Sequence, residues 1–205
     1  MADMGNLYVI AAPSGAGKTS LVKALTENTP DLTVSISHTT RPKRPNEQHG
    51  VNYYFVDRPM FESMIARGDF LEYATIFGNL YGTSKTTVEN MLAQGTDVIL
   101  EIDWQGHQQI RTLFPQAISI FILPPSLTDL RERLIKRNQD AADVIEKRLA
   151  DAQETLSHLP EFDYAVVNDS FDRALQDLKT IIAAGRLRYQ RQTQTLARLL
   201  HQFGS

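Results

Sequence analysis

Apolar residues along this chain fall into short unbroken runs, separated by stretches with helical spacing. Leu7-Tyr8-Val9-Ile10-Ala11 is too short for a helix and predicts a buried strand. Leu21 and Leu25 then lie four residues apart and predict a helix beginning near Ser20. Leu32 to Ser37 and Asn52-Tyr53-Tyr54-Phe55-Val56 read as strands. Pro59 sits early in a helix whose buried face carries Phe61, Met64 and Ile65. Phe70 to Phe77 is strand-like, Gly78-Asn79 signals a turn, and Leu80 to Thr83 leads into a helix over Ser84 to Ala93. Asp97 to Asp103 is a mostly apolar run ending in acids, which suits a central parallel strand, and a helix follows to about Phe114. Ala117 to Leu123 is a further strand, closed by Pro124-Pro125.

The second half of the chain is more helical. Ser126 to Asp129 fits a capping box, and the helix it opens turns Leu127, Leu130 and Leu134 inward. Asn138-Gln139-Asp140 interrupts the pattern, and Asp143 to Ser157 resumes it with Ile145, Leu149, Ala152 and Leu156 on one side. Tyr164 to Asp169 is the last strand. Phe171 to Phe203 is helical in spacing, with Leu175, Leu178 and Ile182 inward and Gly185 as a kink or an end. Alternating strands and helices predict an α/β fold, a doubly wound and mostly parallel sheet.

Composition narrows the class. A chain of 205 residues holds one compact domain with subdomains. A net charge of −3 offers no whole-molecule attraction to nucleic acid or to an anionic membrane. The absence of cysteine excludes disulfides and thiolate-bound zinc. No apolar run approaches the roughly 20 residues of a membrane span. The first residues lack the basic and apolar regions of a signal peptide, so a cytoplasmic location is expected.

Between the first strand and the first helix lies Ala12-Pro13-Ser14-Gly15-Ala16-Gly17-Lys18-Thr19. Strand, small-residue loop and helix is the setting of a phosphate-binding loop. Small residues let backbone N–H groups turn inward toward phosphate oxygens, and the helix N-terminus adds positive potential there. Lys18 can reach the β- and γ-phosphates, and the Thr19 hydroxyl can ligate Mg2+. Ala12 stands where the strict pattern has glycine, which a backbone with negative φ tolerates. By itself the loop indicates only a bound nucleoside triphosphate.

Two further stretches concentrate charge. The loop from His38 to Gly50 carries Arg41, Lys43 and Arg44 in a net-acidic protein. Arg41 and Arg44 together are suited to grip one phosphate, although a solvated proline-containing loop has the same composition. Asp103, at the carboxyl end of its strand, is placed to act on Mg2+ directly or through water, and equally to cap the helix after it. Arg133 and Arg137, with Arg148 on the next helix, fit a mobile lid as well as a solvated helical hairpin.

Taken together, the stretches APSGAGKTSL (12–21), SISHTTRPKRPNEQHGVNYYFV (35–56), FLEYATIFGNLYGTS (70–84), ILEIDWQG (99–106) and VVNDSFD (166–172) closely resemble the guanylate kinase family. The serine and two spaced arginines with a later tyrosine, and then the glutamate followed by Tyr-Gly-Thr-Ser, are more specific than the phosphate loop. The length resembles that of a bacterial single-domain enzyme. The resemblance implies a P-loop nucleoside monophosphate kinase-like fold with a β-rich nucleotide-binding insertion and a helical lid. Its parts would be a guanylate kinase-like domain over 5–185 and a C-terminal helical extension over 186–205. Within the domain, 5–34, 84–125 and 161–185 would form the core, 35–83 the GMP-binding insertion and 126–160 the lid.

The resemblance also implies roles. Ala12, Pro13, Ser14, Gly15, Ala16, Gly17, Lys18 and Thr19 would hold the ATP phosphates, and Asn168 would sit near the ATP base or simply cap its loop. Arg41, Arg44, Tyr53 and Tyr81 would bind the GMP phosphate. Ser37, Glu72, Thr83 and Asp103 would meet the guanine ring. Lys18, Arg41 and the lid arginines Arg133, Arg137 and Arg148 would be catalytic, with Mg2+ as cofactor. The family commonly has Gly-Arg-Gly around the central lid arginine, where this chain has Lys136-Arg137-Asn138. The implied reaction is Mg-dependent phosphoryl transfer from ATP to GMP, in purine nucleotide metabolism. Two rivals share these features: a binding module of the same fold without catalysis, and a related kinase acting on another phosphate acceptor. Oligomeric state stays open, because Leu196, Leu199, Leu200 and Phe203 suit either the domain body or another subunit.

Overall fold

Strand β1 (Leu7–Ala11) is buried along its whole length, and the molecule is built outward from it. In this computed structural model residues 3–136 and 142–203 are described. β1 pairs in parallel with β7 (Asp97–Glu101) on one side and β8 (Ile118–Leu123) on the other. β2 (Leu32–Val34) extends the sheet beyond β7, and β9 (Tyr164–Val167) extends it beyond β8. The order β2-β7-β1-β8-β9 is all parallel, as the alternation of strands and helices predicts.

Alternate residues of β1 feed two cores. Tyr8 and Ile10 face helices α1 (Lys18–Glu27) and α7 (Phe171–Arg186), meeting Leu21, Leu25, Leu178 and Ile182. Leu7 and Val9 face α3 (Lys85–Ala93) and α4 (Trp104–Leu113), meeting Val88, Leu92 and Ile110. A strand buried on both faces is what an unbroken apolar run encodes.

The segment between β2 and α3 leaves this sheet and makes its own. β3 (His38–Thr39), β4 (Tyr54–Phe55), β5 (Phe70–Ile76) and β6 (Asn79–Ser84) form a four-stranded sheet in the order β4-β3-β6-β5, with α2 (Arg58–Arg67) before β5. The sequence pattern merges Leu32 to Ser37 into one strand, but pairing with β7 stops at Val34. The strand expected over 52–56 shortens to two residues. Residues 80–83, read as a lead into a helix, belong to β6. Gly82 hides the alternation: a Cβ there would lie 2.9 Å from the Phe61 ring, so the position admits no side chain. The β5–β6 turn is Phe77-Gly78, at φ 49 and 79. Positive φ at both positions is the requirement of a type I′ hairpin.

Helices α5 (Leu127–Lys136) and α6 (Ala142–Ser157) pack through Leu130, Leu134, Leu149 and Ala152. Leu127, expected inward, is 46% exposed because it stands at the first helical position, off the end of that contact. The Ile145 side chain and Asn138-Gln139-Asp140 lie outside the described residues. The long C-terminal helix of the sequence pattern is two helices. α7 ends one residue after Gly185, where the bare backbone lies against the Tyr8 ring, and a 3-10 turn at Tyr189–Arg191 leads into α8 (Thr193–Gln202). Asp3 accepts hydrogen bonds from Gln194 N and Thr195 Oγ1, while Leu199, Leu200 and Phe203 are exposed. Among the described residues no helix is long and apolar enough to cross a membrane.

The end of the sheet opposite the ligand crevice is pinned by Asp97. Its buried carboxylate accepts from Asn6 N at 2.7 Å and from Arg186 Nε at 2.7 Å. Removing it strands a partly buried guanidinium. Asp97→Ala is expected to cost about 3 kcal/mol and to lower the melting temperature by about 6–12 °C. A thermal scan showing less than about 1 kcal/mol would contradict this anchoring role.

Candidate active site

The loop joining β1 to α1 takes its shape from two left-handed glycines, Gly15 at φ 95 and Gly17 at φ 96. Ala12 is not among the residues with positive φ, so the missing first glycine is no obstacle there. The loop tightens through Ala16 N donating to Pro13 O at 3.1 Å. Helix α1 begins at Gly17 with no side chain capping it, which leaves its first N–H groups to an anion. Asn168, 6% exposed, braces the loop from the end of β9 by donating Nδ2 to Ala16 O at 2.8 Å. Arg133 on α5 reaches the same carbonyl at 3.4 Å and Asn168 O at 2.9 Å.

Glu101, which sequence reasoning passed over, is the acid nearest this loop. Its carboxylate lies 3.5 Å from Lys18 Nζ and accepts from Thr19 Oγ1 at 3.4 Å. The strand's alternation signals it: Ile99 packs on the α1 side of the sheet, and Glu101, two residues on, faces the same way toward the start of α1. Asp103 caps α4 by accepting from Gly106 N at 3.0 Å, and burial raises its carboxyl above the usual range. It also borders the cleft, so capping leaves room for the ligand role.

The cationic loop lies across that cleft. The Arg41 guanidinium lies 5.5 Å from the Tyr53 ring centroid and donates to Glu47 Oε1 at 2.6 Å. Glu47 also accepts from Arg44 N at 2.8 Å, so one carboxylate shapes the loop around both arginines. Arg41 holds that carboxyl below the usual range, and burial raises the Tyr53 phenol. Tyr53 and Tyr81 meet edge to face at 5.9 Å. The E-Q-H-G stretch gives no sign of Glu47's importance, because an exposed loop glutamate reads as solvated.

Glu72 is the most buried acid of the site, at 3% exposure. It accepts from Thr83 Oγ1 at 2.5 Å across the β5–β6 pair. Burial pushes its carboxyl up to about 7, opposed by the Thr83 hydroxyl and assisted by the Asp103 charge. Lys18, Ser37, Arg41, Arg44, Tyr53, Glu72, Tyr81, Asp103 and Arg148 all line one cleft of about 780 Å³. Thr83 stands behind Glu72, fully buried. A second pocket of about 440 Å³ lies on the other side of the loop, between Gly15, Gly17, Arg133, Asn168 and Phe171. Arg133 and Arg148 therefore border different pockets, and Arg137 lies outside the described residues.

The two faces of the loop make one arrangement. Asn168 borders the pocket on one side of the loop, and Lys18 borders the cleft on the other side together with Arg41 and Arg44. Among the described residues no cluster of three or more His, Cys, Asp or Glu side chains forms a metal cage. Thr19, Glu101 and Asp103 offer a few hard oxygens instead, which fits a Mg2+ ion bound mainly through phosphates and water.

The Glu72 environment carries a pH signature. An exposed glutamate titrates at 4.5, whereas this one holds its proton to about 7. The stability present below the lower value is therefore lost as pH rises through the higher one. Relative to Glu72→Gln, the ligand-free chain is expected to lose about 3 kcal/mol across this window. Denaturant titrations at both ends would show it, and a pH-independent difference would contradict the burial of a titrating acid.

Comparison with known proteins places this geometry. A family model described as guanylate kinase matches residues 4–185. Guanylate kinase from Coxiella burnetii is 58% identical over 198 residues, covering 97% of this chain and 96% of that protein. Guanylate kinase from Alkalilimnicola ehrlichii is 56% identical, covering 96% of this chain and 97% of that protein. The crystal structure of guanylate kinase from Anaplasma phagocytophilum superposes with a TM-score of 0.78 at 30% identity, covering 93% of this chain and 90% of that one. The chain belongs to the guanylate kinase family.

Proposed function

We propose that the chain transfers the γ-phosphoryl group of ATP to GMP, giving ADP and GDP. The observation that carries this reading is the shared cleft, which joins the phosphate loop's Lys18, the Arg41/Arg44 loop and the buried Glu72. Each part answers to one part of the reaction. The loop from Ala12 to Thr19 takes the ATP phosphates, with Asn168 toward the base. Arg41, Arg44, Tyr53 and Tyr81 take the acceptor phosphate, the tyrosines adding hydroxyl donors without charge. Ser37, Glu72, Thr83 and Asp103 form the base pocket.

Guanine presents N1–H and an exocyclic amino group on one edge, and an ionised carboxylate accepts from both. Adenine presents a lone pair at N1 and leaves the carboxylate badly paired. The chemistry needs no covalent intermediate. Two anions are aligned for in-line attack, and charge on the transferring group is offset by Lys18, Arg41 and the lid arginines Arg133, Arg148 and, beyond the described residues, Arg137. Thr19, Asp103 and Glu101 would hold Mg2+, which when bound supplies further neutralisation of phosphate charge. A lid over 126–160 excludes water from the donor phosphate, an insertion over 35–83 carries the acceptor, and the remaining core holds ATP. Water exclusion keeps ATP from hydrolysis when no acceptor is present.

A coupled assay of ADP release with GMP, AMP and IMP tests the reading. GMP is expected to be strongly preferred, and equal rates with AMP would sink the assignment of Glu72. Glu72→Gln is expected to lower kcat/KM for GMP by about 100-fold or more, roughly 3 kcal/mol, with KM for ATP within about threefold. Lys18→Ala is expected to lower kcat by about 100- to 1,000-fold. Near-normal turnover by that variant would remove the phosphate loop from the mechanism.

A further inference from the structure

Glu72 sits on β5, an edge strand of its sheet, so pairing with β6 alone fixes only one side of its backbone. Among the described residues, one side chain of α4 hydrogen-bonds the other side of its backbone at Tyr73. Gln109 on α4 accepts from Tyr73 N through Oε1 at 3.2 Å and donates from Nε2 to Tyr73 O at 2.8 Å. One amide thus completes both hydrogen bonds that a neighbouring strand would make at Tyr73, directly after Glu72. The register of β5 against β6 also shifts between Phe70 and Glu72, so the strand's own pairing is irregular where the carboxylate departs.

The side chain meets α4 at a second point. A Cβ on Gly106 would lie 2.5 Å from Glu72 Oε2 and 3.2 Å from its carboxyl carbon. Those distances leave no room for even a methyl group, so the carboxylate occupies the space that glycine vacates. The first carboxylate oxygen faces Thr83 and the second faces bare helix backbone. Both α4 positions lie outside the cleft lining.

We infer that Gly106 and Gln109 are positioning residues that set where the Glu72 carboxylate stands and thereby determine the preference for guanine over adenine. The inference rests on the base-recognition role proposed for Glu72. Gly106 fixes the depth of the carboxylate against α4. Gln109 fixes the strand that carries it, and ties the acceptor sheet to the helix capped by Asp103.

Steady-state kinetics of the full chain, with Gly106→Ala and Gln109→Met beside wild type, test it. Both variants are expected to raise KM for GMP at least about tenfold and to cut the GMP-to-AMP preference by a similar factor. KM for ATP is expected to stay within about twofold, and kcat at saturating GMP within about threefold. A general loss of structure would move all four quantities together. If Gly106→Ala does not melt cooperatively, Gln109→Met decides alone, since it keeps side-chain length and removes the paired hydrogen bonds to Tyr73 with one longer bond to Gln105 O. A GMP KM within twofold of wild type, or equal rises for both substrates, overturns the inference. Wild-type chain that used AMP as readily as GMP would instead overturn the reading of Glu72 on which it rests.

Discussion

The Ala16 carbonyl is the point on which the site depends. A phosphate loop must keep its N–H groups turned toward the ligand, so its own side chains are small and give it little to pack with. Its shape therefore has to be imposed from outside, and Asn168 and Arg133 do so by donating to that one oxygen. Gly17 must lack a Cβ for the same reason, since one would lie 2.4 Å from Asn168 Nδ2. At Gly15 a Cβ would crowd Leu130 and Leu134 of α5 at 3.1 Å. Helix α5 is thus mechanically part of the phosphate loop. Helix α6 is the one that faces the larger cleft, with Arg148, Asp151 and Glu154 on its lining.

A second constraint is the cost of gathering cations in one crevice. Lys18 and Arg41 each have a carboxylate partner in the ligand-free chain, Glu101 and Glu47. These pairs keep the positive groups from repelling one another and fix their direction before any phosphate arrives. They also set a threshold: an incoming phosphate must offer more than one carboxylate does.

The parallel sheet was legible because β1, β7 and β8 are buried on both faces and so appear as unbroken apolar runs. The four-stranded sheet was less so. Two of its strands, β3 and β4, have only two residues each, and β6 contains a glycine where alternation would show. Among site residues, those with a fixed spacing from a glycine or an arginine were readable. Glu101 could have been read from the alternation of β7, whereas Glu47 and Gln109 act through tertiary contacts that no local pattern encodes.

Glu72 shows why a carboxyl group can stand in a nearly dry pocket without an ion-pair partner. With its titration near 7, the group is close to half protonated at neutral pH, so the empty pocket avoids the full cost of a buried charge. In the role proposed for Glu72, two donors from a guanine edge would favour the ionised form and pull the proton off as the base enters. A base with a lone pair at the same place would instead accept from the protonated form, so the retained proton works against discrimination. Selectivity then includes the ionisation equilibrium as well as the hydrogen bonds themselves. Discrimination in that role would therefore sharpen as pH rises through the range in which the carboxyl loses its proton.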